Sequence, residues 1–298
     1  MRKIRNVLSL FDGVACGKLA LERAGIEFEN YYASEIDPVC IAIAEKNHSD
    51  IISLGDVANW KEWNLEDIDL IIGGSPCQGF SSQGNQLNFN DPRSKLFFTM
   101  VDIIEHYHPS YYLLENVGMR NEWKEIITDY LGVAPVVLNS ALVSAQERKR
   151  LYWANWDIPI PEDREIHLTS ILAHQKLTRP ASIKGRRINP NTGKREDHNK
   201  EIPYSQCLQV KKDMSKIGCL TTVSKDAVLT HLPHGRYPHA YDNYTKDVDW
   251  RYLTPIEYER AQTVPDDYTI GYSDSVRQSV MGNGWTVDMI VHILQSAP

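Results

Sequence analysis

Long apolar runs are missing from this chain of 298 residues. No stretch approaches the ~20 consecutive apolar residues of a membrane-spanning helix, so no membrane partner is expected. The opening MRKIRNVLSLFDG sets basic residues before an apolar segment. That segment breaks at Asp12 after ~5 residues, short of the ~7–15 of a signal-peptide core, and reads better as a buried first strand. Cysteine is scarce and scattered: Cys16, Cys40, Cys77, Cys207 and Cys219. Five such residues make no disulfide framework, and no CxxC pair suggests zinc. The odd count fits a reducing cytoplasm, where a lone thiol can be catalytic. The GxGxxG fingerprint is also absent, which argues against a nicotinamide-dependent oxidoreductase. Repeats and low-complexity segments are lacking.

Excess positive charge is lacking too, since the net charge is −7. Its distribution is uneven, however. Residues 161–250 hold 15 Lys+Arg against 11 Asp+Glu and six of the ten histidines, leaving 17 against 28 elsewhere. A basic insert on an acidic body suits local phosphate contacts better than the total does.

What is present begins with alternation. VLSLF (7–11) is an apolar run ended by Asp12-Gly13, and a helix pattern follows through Leu19, Leu21 and Ala24 to Gly25. YYASEI (31–36) is a second strand, after which Pro38 opens a helix over CIAIAEKN. IISLGDV (51–57), DLIIGG (69–74) and YYLLENV (111–117) give three more strands, with a helix around 121–130. VVLNSALV (136–143) and RLYWANW (150–156) read as a closing antiparallel pair. Strands alternating with helices predict a doubly wound, mainly parallel α/β sheet. After Trp156 the pattern changes to Pro, Lys, His, Asn and Gly with few periodic segments, and KGRRINPNTGKREDHNKE (184–201) reads as a loop. Regular structure resumes at Thr254-Pro255, where Thr254 would cap a helix, and VDMIVHILQ (287–295) closes the chain as an amphipathic, buried helix.

In parallel α/β sheets, ligands sit at the carboxyl ends of strands. LSLFDGVACG (8–17) ends a strand in a turn where Gly13 and Gly17 permit close backbone approach. Glu35 and Asp56 stand at the next two strand tips, the first suited to ribose hydroxyls and the second to an adenine amino group. GGSPCQGFSSQG (73–84) puts Cys77 in a small, polar, turn-forming loop at the sheet's rim, where a thiol would be reachable. The loop runs on through QLNFNDPRSKLFF, with Gly84 as a hinge and Arg93 and Lys95 available to phosphate, and would close over a substrate. LLENV ends at a fifth strand tip with Glu115, expected beside Cys77. In QERKR (146–150), Arg148 and Arg150 are spaced by two and face one way if extended.

Taken in order, these segments resemble the DNA (cytosine-5)-methyltransferase family. FDGVACG looks like its cofactor motif, GGSPCQGFS its Pro-Cys motif, ENV its glutamate motif, and QERKR its Q-x-R-x-R motif. CLTTV (219–223), RYLTPIEYERAQTVPDDY (251–268) and GNGWTVDMI (282–290) resemble the later motifs, so the likeness spans nearly the whole chain. VLSLFDGVACGKLAL and SVRQSVMGNGWTVDMIVHIL look closest to the de novo-type branch and its phage and bacterial relatives.

The resemblance implies a Rossmann-like S-adenosylmethionine (SAM) methyltransferase fold with a smaller target recognition domain. The catalytic domain would span 1–157, completed by 265–298, and the recognition domain with its support 158–264. It implies Cys77 as nucleophile on carbon 6 of a flipped cytosine, Glu115 at ring N3 and the amino group, Arg148 at O2, and Arg150 as a brace. Phe11, Gly13, Glu35, Ile36, Asp56, Val57, Asn283 and Trp285 would form the cofactor pocket, S-adenosylhomocysteine would be the product, and no metal is implied. The partner would be double-stranded DNA in a bacterial or phage-infected cytoplasm, with oligomeric state left open. Ser82-Gln83-Gly84-Asn85 departs from the family's usual small-residue-plus-glycine pair in the loop. A tRNA-methylating branch carries a Cys-Phe-Thr signature that this chain lacks. Inactive relatives lose the Pro-Cys or ENV residues, which stand intact here.

Overall fold

A computed structural model describes residues 4–75, 92–173, 176–192, 194–238 and 250–298, with backbone alone at 92–95 and 238. The chain forms two compact units, one of 1–139, 149–162 and 284–298, the other of 140–148 and 163–283. The resemblance placed the divisions at 157/158 and 264/265. The observed ones differ because 140–148 and 265–283 hydrogen-bond within the second unit, as with Lys216 Nζ on Ala141 O and Gln262 Nε2 on Met281 O.

The first unit is built on a seven-stranded sheet. Its strands are β1 (Asn6–Leu10), β2 (Asn30–Ser34), β3 (Ile51–Ser53), β4 (Ile68–Gly73), β5 (Tyr111–Val117), β6 (Val136–Asn139) and β7 (Lys149–Ala154), in the order β3-β2-β1-β4-β5-β7-β6. All neighbouring pairs are parallel except those of β7, which runs antiparallel to both β5 and β6. β4 and β5 are buried nearly throughout, which is why they read as apolar runs rather than alternating ones.

Helix α1 (Cys16–Ala24) stops at Gly25, whose left-handed φ of 71° returns its N–H to the last turn. Helix α2 (Pro38–Asn47) starts under Asp37, whose carboxylate accepts from Val39 N and Cys40 N. The third strand is shorter than the expected 51–57, because Gly55 adopts a φ of 72° and Asp56 then caps a 3₁₀ segment over Val57–Glu62. Helix α3 (Pro92–Tyr107) had no counterpart in the sequence pattern, which suggested a loop running on through 98. Its Phe97, Met100 and Val101 recur at helical spacing, and they pack with Leu8, Leu10, Ile71, Leu114 and Trp153 in the core. Helix α4 (Asn121–Leu131) ends on Gly132.

The second unit holds a five-stranded antiparallel sheet that the sequence did not lead one to expect. Its strands are β8 (Arg179–Arg186), β9 (Ser205–Val210), β10 (Val228–Thr230), β11 (Gly235–Pro238) and β12 (Trp250–Tyr252), ordered β11-β9-β8-β10-β12. Ala181 and Ile183 oppose Val210 and Leu208, and with Val228 they make a small core. The segment expected as a loop completes β8 at 184–186, then folds on itself with an isolated bridge between Ile188 and Arg195. Helix α5 (Pro255–Ala261) opens with the capping box of Thr254 and Glu257, and α6 (Asp274–Asn283) follows. The final helix, α7 (Val287–Gln295), returns to the first unit, where Asp288 pairs with Arg23 of α1.

Candidate active site

Three strand ends of the first unit carry the residues expected at a cofactor. Past β1 the chain turns through left-handed conformations at Phe11, Gly13 and Ala15, with φ of 57°, 60° and 61°. Two of these are not glycine, so the turn is held against a local penalty. What holds it is the neighbouring strand: Asp12 N donates to Ser34 O at 3.1 Å, and Gly13 N donates to Glu35 Oε2 at 2.8 Å. The other oxygen of Glu35 accepts from Ile36 N at 2.7 Å and Asp37 N at 2.9 Å. Glu35 is therefore fixed against the glycine turn rather than free in solvent.

Ile36 and Val57 part company: Ile36 is 69% exposed, whereas Val57 is packed in the core. Phe11 lies half-buried against that same core. Asp56 accepts from Ala58 N at 2.9 Å, and Ser34 Oγ donates to Gly55 O at 2.8 Å, tying the second and third strand tips together.

Asp12 was not singled out from the sequence. Its Oδ1 accepts from Ser9 Oγ and from Tyr31 Oη, each at 2.6 Å. Burial pushes its carboxyl up to about 6; those two bonds oppose the shift, and the charge of Glu35 adds to it. Burial likewise pushes the Cys40 thiol up to about 12, reinforced by Glu35 and Asp37, and raises that of Cys207. Both are therefore held as poor nucleophiles. Cys77 and most of its loop lie outside the described residues.

At the ends of β4 and β5 a second group assembles. Glu115 is buried, and its two oxygens are held separately. Oε1 pairs with Arg150 Nε at 2.9 Å, and Oε2 accepts from Trp285 Nε1 at 3.1 Å. Gly74 leaves the space for this, since a Cβ there would stand 3.0 Å from both Glu115 Oε2 and Trp285 Nε1. The next residue of the ENV segment, Asn116, is almost fully buried and donates to Ser75 Oγ at 3.1 Å. It thereby ties β5 to the residues leading into the Pro-Cys loop. Sequence reasoning missed Asn116, although its place beside Glu115 was a signal.

Arg148 and Asn283 belong to the second unit. Arg148 is buried there and donates to Leu220 O at 2.9 Å and Gly282 O at 3.2 Å, with Cys219 Sγ at 3.6 Å. Gln146 is the hub of this region. Its Nε2 donates to Ala261 O at 2.8 Å and Gln262 Oε1 at 2.7 Å, and its Oε1 accepts from Leu220 N at 3.3 Å. The structure thus joins Gln146 and Arg148 with Leu220 and Gly282 within one unit, and Glu115, Arg150 and Trp285 within the other. No cluster of metal-ligating side chains occurs among the described residues.

The strand order with β7 reversed, and the glycine turn and acid at successive strand ends, define a methyltransferase fold. Solved structures agree. The Entamoeba histolytica methyltransferase EhMeth matches with a TM-score of 0.70 and 17% identity over 99% of this chain and 98% of its own. The S. pombe Dnmt2 methyltransferase matches with a TM-score of 0.63 and 18% identity over 97% of each chain. The profile described as C-5 cytosine-specific DNA methylase matches residues 5–297, and the chain belongs to that family. The orphan methyltransferase M.Rho11sI of Bacillus phage rho11s is 40% identical over 127 residues, 42% of this chain and 25% of that protein. The type II methyltransferase M1.ScrFI of Lactococcus lactis subsp. cremoris is 25% identical over 310 aligned positions, 96% of this chain and 76% of its own. The chain spans between a quarter and half of the length of several curated relatives, such as 25% of M.Rho11sI and 51% of the Fusobacterium nucleatum enzyme M.FnuDI.

Proposed function

We propose that the protein transfers a methyl group from SAM to carbon 5 of cytosine in double-stranded DNA. The observation that carries this reading is the buried Glu115 carboxylate, held by Arg150 and Trp285 beside Gly74, three residues before Cys77. A carboxylate so placed can bind the edge of a base, and a cysteine in the adjoining loop can attack it.

Carbon 5 of cytosine is a weak nucleophile. In this reading the Cys77 thiolate forms a bond to carbon 6, which breaks the aromaticity and makes carbon 5 enamine-like. As charge arrives at N3, Glu115 donates a proton to it and takes that proton back when the adduct collapses, while its other oxygen accepts from the exocyclic amino group. SAM, when bound, supplies the electrophilic methyl. After transfer, a base removes the carbon-5 proton and the carbon 6–sulfur bond breaks, returning the thiolate. The base must leave the stacked duplex for this to occur. Arg150 braces Glu115. For Arg148, the carbonyls it holds at 220 and 282 favour a brace over a direct contact with the base.

The residues at the first three strand ends fit SAM. Gly13 presents open backbone, since a Cβ there would meet nothing within 4 Å, and Glu35 is a fixed acceptor for ribose hydroxyls. Ile36 offers an exposed apolar surface for adenine, and Asp56 an acceptor for its amino group. Phe11, Val57, Asn283 and Trp285 complete the proposed pocket. The second unit is proposed as the target recognition domain, acting in the cytoplasm; no described helix is long and apolar enough to cross a membrane.

The test is methyl transfer from labelled SAM to unmethylated bacterial chromosomal DNA, with tRNA in parallel. Label appearing as 5-methylcytosine in DNA, and lost in Cys77→Ser with SAM binding retained, is the expected result. Label in tRNA alone would keep the chemistry and overturn the substrate, and undiminished turnover by Cys77→Ser would remove the mechanism.

A further inference from the structure

Glu115 and Trp285 are 170 positions apart in sequence, yet one hydrogen bond joins them. Without it the carboxylate would be held at Oε1 by Arg150 alone and would swivel about its terminal torsion, which is intrinsically soft. With it, each oxygen has one fixed donor. A carboxyl group has about four positions on its two oxygens, so beside these two donors one oxygen can accept from the base's amino group and the other can hold the proton given to N3.

Two further observations mark the bond as built rather than incidental. Gly74 stands against it, because a Cβ there would lie 3.0 Å from each of the two bonded atoms and would wedge them apart. The Trp285 ring also reaches the turn after β1: a Cβ at Gly17 would meet Trp285 Cζ3 at 3.5 Å. The same side chain therefore borders the first strand turn, where the cofactor is placed, and the carboxylate, where the base is placed.

We propose that Trp285 is a positioning residue for methyl transfer, whose indole N–H orients the Glu115 carboxylate toward the cytosine. The inference rests on the reading of Glu115 as the base-binding group. Trp285→Phe keeps the ring and removes the donor. A hydrogen bond to a charged group, lost at this point of the reaction, slows transfer by about ten- to a hundredfold.

The experiment measures single-turnover transfer from labelled SAM to unmethylated bacterial chromosomal DNA, both saturating, with SAM affinity determined separately. Trp285→Phe is expected to transfer at least about tenfold more slowly, with SAM affinity changed less than about threefold. A role confined to the cofactor pocket would instead weaken SAM and leave the saturated rate intact, which would overturn the proposal. Gly74→Ala attacks the same bond from the other side and is expected to show the same slowing; it decides alone if Trp285→Phe fails to fold. Parental rates in either folded variant, with Glu115→Gln inactive, would refute the role of Trp285. A parental rate in Glu115→Gln would instead remove the assignment of Glu115, and this inference with it.

Discussion

Replacing Asp12 by Asn should stabilise the protein, and by an amount that depends on pH. The carboxyl is raised by burial from its ordinary value of 3.8 to about 6. At ~1.4 kcal/mol for each tenfold change in proton affinity, keeping it ionised above pH 6 costs the fold up to about 3 kcal/mol. The sign follows from the direction. A raised acid binds its proton more tightly when folded, so the cost is full above the folded value and fades as pH falls toward the unfolded one. Asn mimics the protonated form, and its Oδ1 can still accept from Ser9 and Tyr31, which bond Asp12 at 2.6 Å. Because Asp12 is only half-buried, about 1–2 kcal/mol is the realistic gain at pH 8, with roughly half of it remaining at pH 5. Thermal melts of both proteins at pH 5, 6.5 and 8 read this directly. At about 2–4 °C for each kcal/mol in a domain of this size, the gain is a few degrees at pH 8 and shrinks on acidification. A gain of equal size at every pH, or a loss at pH 8, would refute the electrostatic argument.

Other substitutions probe the second unit. Glu257 is fully buried; burial pushes its carboxyl up, but Arg251 and the N–H groups of Thr254 and Ala173 prevail and hold it below the usual range. Glu257→Ala should cost about 3–5 kcal/mol at neutral pH in urea unfolding, a difference that shrinks as pH falls below the ordinary carboxyl value of 4.5 and on through the lowered folded one. Lys216 places its ammonium on the carbonyls of Ala141, Ser144 and Ile166 at 2.6, 2.9 and 2.6 Å. Lys216→Met removes this donor from all three and should cost at least about 2 kcal/mol, read by the same titration. Gly282→Ala would drive a Cβ into the backbone carbonyl of Thr221, so backbone must shift; amide exchange at 219–223 should accelerate if that packing is essential.

The first unit was legible because its signals are local. An apolar run before Asp12-Gly13, a proline opening α2 and a glycine closing α1 each act within a few residues, and the strand tips follow from them. Helix α3 went unread because its start adjoins a polar stretch, although Phe97, Met100 and Val101 carried the helical period. The second sheet went unread for a different reason. Strands of three residues, such as Val228–Thr230 and Trp250–Tyr252, are too short to show alternation, and their partners lie far along the chain. The site divides the same way. Residue types at strand ends were visible, but the partners of Glu115 were not, since Trp285 arrives from the far end of the sequence. Nor does any local pattern reveal that Arg148 faces carbonyls at 220 and 282.

Two of the motifs owe their spacing to the chain's passage between units. Q-E-R-K-R and G-N-G-W each straddle a division between the units, at 148/149 and at 283/284. In the first, Gln146 and Arg148 bind within the second unit, while Arg150, two residues on, enters β7 and pairs with Glu115 of the first. In the second, Gly282 packs on Thr221 and accepts from Arg148, while Trp285, three residues on, holds Glu115. Each short motif therefore does two jobs in sequence, anchoring the end of one unit and then delivering a donor to the carboxylate of the other. Residues adjacent in a motif can therefore belong to different cores. The spacing of two between Arg148 and Arg150 is then set by the chain's passage from one unit into a strand of the next, and only the second arginine needs to reach the proposed catalytic carboxylate.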